Sequence, residues 1–119
     1  MAEPEFMKPG HLSGKICTYC DEPLADPPAR GARPGDTKSK DHVVPRKLGL
    51  GYLQAIDKTD MAAGRGNGVW CCQRCNSLKD ALLPDQIRIM AAYHDQRAEL
   101  LRQIADRAEE IIKARRLLP

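Results

Sequence analysis

NGVWCCQRCNSLKD, residues 67–80, changes character at its middle. Asn67 and Gly68 are turn residues, 69–72 is a strand-like apolar run, and the residues from Cys75 onward read as helix. The junction carries a C-x-x-C pair, Cys72 and Cys75. Two thiolates at that spacing on a tight turn aim at one point, which is half of a tetrahedral zinc site. The other half stands far upstream in "CTYC", as Cys17 and Cys20. Together they predict a four-cysteine structural zinc that ties residues 17–20 to the strand–helix turn. Disulfides and thioredoxin-like redox chemistry are the rival uses. An intracellular chain disfavours the first, and the lack of a βαβ pattern disfavours the second. Cys71 is the odd thiol. It reads as a small apolar strand residue, although a C-x-x-x-C register would make it a ligand in place of Cys72.

Zinc fits the composition. The 119 residues include only five aromatics, one Trp, three Tyr and one Phe. A core built from them is small, and small cores often need a metal or a partner. No apolar run approaches a membrane span and no signal-peptide pattern opens the chain, so the expected location is the cytoplasm. The first six residues, MAEPEF, read as a vector leader, residues 7–84 as the working domain and 85–119 as a helical extension. Net charge is +3, but Arg30–Lys79 holds ten Lys/Arg against four Asp. Such a basic middle suits a polyanion, and equally a solvated surface.

Within that segment, KSKDHVVPRKLG (38–49) sets His42 directly after Asp41 among basic residues. Alone, the pair is as readily a surface turn as a general base beside a metal ligand. A strand at 40–44 would end at Pro45 and pair antiparallel with 69–72. ADPPARGARPGDTKSK (25–40) is a loop, and a short helix is expected around Tyr52–Asp57. On the helix after Cys75, Asn76 and Asp80 are four apart and share a face, which makes Asp80 an optional ligand. Arg46, Lys47, Arg74 and Lys79 lie beside these residues, and each is a candidate phosphate contact or plain surface. Trp70 and Tyr52 read as core, His11 as solvated, and His94 as a helix-face residue.

Taken together, CTYC, DHVVPR and NGVWCCQRCNSLKD resemble the HNH endonuclease family in its zinc-ribbon form. The resemblance covers roughly Cys17 to Asp80. It implies a small α+β fold, a ββα-metal (His-Me finger) unit pinned by the zinc ribbon. It also implies an activity, hydrolysis of DNA phosphodiester bonds as a nick or a double-strand cut. His42 corresponds to the general base, Asn67 to the residue that shapes the inter-strand loop and helps hold the histidine, and Asp41 and Asn76 to ligands of a catalytic cation. The third signature position is Asn76 instead of histidine. Oxygen ligands of that kind suit magnesium or manganese. Small stand-alone proteins of this type occur in bacteria and their phages. The rival from another class is a non-catalytic zinc-ribbon module that binds nucleic acid.

Residues 85–118 contain no Gly or Pro. They are rich in helix formers and predict one long helix with Asp85 as N-cap and Lys113, Arg115 and Arg116 at its C-terminal end. A heptad frame aligns Met90, Arg97, Ile104, Ile111 and Leu118, and Ile87, His94, Leu101, Ala108 and Arg115. That stripe could pack on the zinc unit, pair with a second copy, or dock a protein partner.

Overall fold

Alternation decides how the first strand is used. In the computed structural model, which describes residues 3–48 and 61–118, β1 (Lys38–His42) pairs antiparallel with β2 (Gly68–Cys72). The register sets Lys38 opposite Cys72, Lys40 opposite Trp70, Asp41 opposite Val69 and His42 opposite Gly68. Residues opposite one another share a face. Asp41, Val69 and Cys71 therefore turn inward, where all three are buried, while Lys38, Lys40 and Trp70 lie on the outer face. β1 begins earlier than expected, inside the stretch read as loop, because Lys38 N–H already bonds Ala25 O at 2.7 Å. It stops at His42, and Asn67 takes over the pairing with Val43 and Val44.

Helix α1 (Pro9–Leu12) leads into the cysteine turn. Helix α2 (Gln73–Lys79) follows β2 directly and lies against β1 and β2. Cys72 is its N-cap and accepts from Cys75 N–H. At the other end Asp80 has φ +50 and leaves the helix. Arg46–Leu48 forms one 3₁₀ turn. The short helix expected at Tyr52–Asp57, with Tyr52 itself, lies outside the described residues.

The C-terminal stretch is not a single helix. Helix α3 (Pro84–Ala91) and helix α4 (Ala98–Arg115) fold against each other. The break has a physical cause. Residues 92–97 are all exposed, and no side chain between Ala91 and Leu101 is buried. His94 and Arg97, two positions of the proposed stripe, offer nothing to a core, so the chain turns and the apolar residues on either side meet. His94 sits in that turn and not on a helix face. The N-cap of α3 is Leu83, with Pro84 at the first helical position. Gln86 Oε1 accepts Leu83 N–H at 2.8 Å, and Asp85 lies in the first turn. One continuous core joins Cys17, Tyr19, Val43, Val44 and Cys72 to Ile87, Leu101, Ile104, Ala108 and Ile111. The stripe is spent inside the chain. Among the described residues of the hairpin only Ile89 and Tyr93 remain as large exposed apolar groups.

The residues set aside as a leader also pack. Glu3 accepts from Arg115 Nε at 2.9 Å. Phe6 lies edge-on to His11 and under the Arg107 guanidinium. No helix among the described residues is long and apolar enough to cross a membrane.

Candidate metal centre and basic cleft

CTYC forms a tight knuckle. Ile16 bridges Pro23, Cys17 N–H bonds Glu22 O at 2.8 Å, and Asp21 takes φ +66. Thr18 N–H to Trp70 O, 3.0 Å, fastens the knuckle to β2. This brings the sulfurs of Cys17, Cys20, Cys72 and Cys75 within 4.8 Å of one another. Cys20 and Cys72 Sγ are 3.8 Å apart. A tetrahedron of thiolates at Zn–S about 2.3 Å has edges of about 3.8 Å, so the sulfurs already stand at zinc spacing. Backbone N–H groups of Tyr19, Cys72 and Cys75 point at Cys17 and Cys72 sulfurs at 3.3–3.4 Å, the donors a thiolate uses. Hydrogen bonds from Cys17 and Cys75 draw the Cys72 thiol down, while burial holds Cys20 up at about 12. A zinc ion held by these four sulfurs would have every position filled by protein, the arrangement of a structural ion. Cys71 is buried in β2 outside the cluster.

The knuckle reaches inward through Tyr19, a residue the motif reading passed over. Tyr19 is fully buried, and its hydroxyl donates to Asp41 Oδ2 at 2.6 Å. Lys79 is fully buried too. Its ammonium sits 3.3 Å from Asp41 Oδ2 and donates to His42 O at 3.1 Å. Burial pushes the Asp41 carboxyl up, against the downward pull of Lys79 and Tyr19. Burial likewise raises Tyr19, with the Asp41 charge adding to it. The aromatic between two cysteines and the lysine four residues after Cys75 were the only sequence signals for this network.

A cleft of about 310 Å³ opens at the His42 end of β1. Lys40, Asp41, His42, Arg46, Lys47, Asn76 and Asp80 are among its lining residues. Asp41, His42, Arg46, Lys47, Asn76 and Asp80 thus meet around one cleft, and Asn67, Arg74 and Lys79 do not line it. Asp41 is engaged by Tyr19 and Lys79. Asn76 Nδ2 donates to Ser39 Oγ at 2.6 Å. Asn67 is buried, and its amide exchanges two 2.8 Å hydrogen bonds with Val44 N–H and O. Asp80 is exposed at the helix C-cap, its N–H on Asn76 O at 2.9 Å, and it lines the cleft beside Asn76. Lys79 is a buried ion-pair partner, not a phosphate contact. Arg74 is exposed beside Gly35, outside the cleft lining. Trp70 is half-buried under Lys38 instead of in the core. His11, read as solvated, is buried: Nδ1 accepts Lys8 N–H at 2.9 Å, and Nε2 meets Asp21 at 2.7 Å.

This geometry overturns the metal-dependent endonuclease. Among the described residues the four cysteines are the only group of three or more His, Cys, Asp or Glu whose ligand atoms converge. The carboxylate meant to hold magnesium or manganese is turned to a buried ammonium and a phenol. A cation there would have to displace the buried Lys79 ammonium. Asp41 is therefore not available as the ligand of a catalytic cation, and the converging ligand set among the described residues is the all-cysteine one. Comparison with protein-family models, curated proteins and solved structures found no match.

Proposed function

We propose that the chain is a zinc-ribbon module that binds nucleic acid, DNA first, without cutting it. One observation carries this reading, the charge of the cleft. Lys40, Arg46 and Lys47 line it against a single exposed acid, Asp80. Asp41 adds no net charge, because Lys79 is buried against it. A concave, net-positive wall concentrates field and suits a phosphate backbone. The order of β1, β2 and α2 around four cysteines supports the resemblance to the HNH scaffold. On this reading the scaffold keeps its nucleic-acid surface, and its acidic position has become a buried support. Residues 84–118 brace that scaffold. Of the three uses open to their apolar stripe, packing on the zinc unit is the one supported by its place in the chain's own core.

Three phosphate contacts give a salt slope between about −2 and −3 in a plot of log affinity against log salt. The test is fluorescence anisotropy of a labelled duplex against potassium chloride. Lys40→Ala with Lys47→Ala should reduce the slope by about 2. Absence of binding at low salt, or an unchanged slope in the double variant, overturns the reading; tighter binding of RNA than of DNA replaces the partner.

A further inference from the structure

The outer face of the β1–β2 ribbon belongs to no site described so far. Alternation puts Lys38 and Lys40 on it, two residues apart on β1, with Trp70 in register with Lys40 on β2. Lys40 also lines the cleft, so the two surfaces are continuous. The Lys38 ammonium lies 4.3 Å above the centre of the Trp70 ring. Gly14, with φ +79, turns the chain closely past this pair; a Cβ there would stand 2.5 Å from Lys38 Cε and 3.1 Å from Trp70 Cδ1. Lys38 is therefore held at a fixed place on the ribbon and does not sweep through solvent.

We propose that this face is a second phosphate-binding surface, which extends the cleft contact along the whole of β1. The inference rests on the nucleic-acid reading above and adds where the strand runs. An antiparallel strand rises about 3.4 Å per residue, so Lys38 and Lys40 stand about 6.8 Å apart. A DNA strand rises 3.4 Å per nucleotide along the duplex axis. Because the phosphates of one strand also turn about the axis, neighbours stand about twice that rise apart in space, so Lys38 and Lys40 match two neighbouring phosphates. From Lys38 to Lys47 the cations then follow one backbone, with β1 as the contacting element. The ring of Trp70 is capped by a cation, which suits phosphate on the ammonium and leaves that ring face closed to a stacking base. The partner is a duplex backbone, held without base readout.

Trp70 is the only tryptophan in the chain, so it reports directly on this face. The experiment titrates the zinc-loaded full chain with a labelled 16-base-pair duplex and follows tryptophan emission and anisotropy together. Phosphate drawn to Lys38 changes the electrostatic field on the ring, and both signals should share one midpoint. Lys38→Ala should weaken binding roughly eightfold at 0.1 M salt and lower the salt slope by about 1. Lys38→Arg should retain both slope and emission response. Lys47→Ala should lower the slope while the emission response persists. Anisotropy that rises with unchanged emission, together with an unchanged slope in Lys38→Ala, overturns the inference and leaves the cleft reading standing. No rise in anisotropy overturns both. A larger emission change with single-stranded than with duplex DNA would mean base stacking on Trp70 and also overturns it.

Discussion

At the scale of single residues, the decisive group is Lys79. It could be read as one more surface cation beside a basic motif, but it is fully buried and joins Asp41 to the His42 carbonyl. Removing one member of a buried pair leaves the other charged and desolvated, which costs about 3–5 kcal/mol. Lys79→Met should destabilise the zinc-loaded protein by that amount in denaturant unfolding. Adding Asp41→Asn should recover much of the loss, because the uncompensated carboxylate is then gone. A Lys79→Met protein as stable as the parent would show that the pair is not formed. The zinc ligands were legible because C-x-x-C spacing encodes local geometry. The role of Asp41 was not, because it depends on Tyr19 and Lys79, 22 and 38 residues away in sequence. Burial of His11 was invisible for the same reason. Its partner Asp21 lies on the far side of the knuckle.

Among the elements, the C-terminal hairpin and the knuckle support each other. Arg107 on α4 donates two hydrogen bonds to Asp21, at 2.7 and 2.9 Å, and one to Thr18 O at 2.9 Å. Gln103 Nε2 reaches Tyr19 O at 2.6 Å. The two strands, their pairing and the helix after Cys75 were readable from turn residues and periodicity. The break at 92–97 was not, since helix propensity is high throughout and only tertiary burial separates α3 from α4. Because Leu101, Ile104 and Ile111 belong to the same core as Cys17 and Tyr19, a chain ending at residue 91 should lose cooperative unfolding even with zinc supplied. Circular dichroism melts check this. A sharp transition in the truncated chain would make the hairpin dispensable. The Arg107 hydrogen bonds, ahead of that from His11, hold the Asp21 carboxyl down at about 2. A carboxylate whose folded pKa lies below its unfolded value of about 3.9 stabilises fully above that value and loses the effect as pH falls toward 2. Asp21 is half exposed, so solvent screening reduces the contribution to roughly 1 kcal/mol or less. The stability gap between the parent and Asp21→Asn should shrink as pH falls below 4. A gap that widens in acid contradicts the assignment. Zinc loss in acid affects both proteins and cancels in the difference.

Across the whole molecule, four cysteines gather at a small ribbon, a helical hairpin supplies much of its apolar core, and Lys40, Arg46 and Lys47 stand exposed along one edge. Asp41, His42 and Asn76 line one cleft, while the Asn67 amide holds the Val44 backbone and the Asp41 carboxylate is engaged in a buried ion pair. Binding and cutting are therefore separable claims, and one gel distinguishes them. Supercoiled plasmid incubated with the zinc-loaded protein and magnesium or manganese is run once directly and once after protein removal. The account predicts retarded migration in the first lane and intact supercoiled DNA in the second. Nicked or linear DNA in the second lane, absent with His42→Ala, would contradict it.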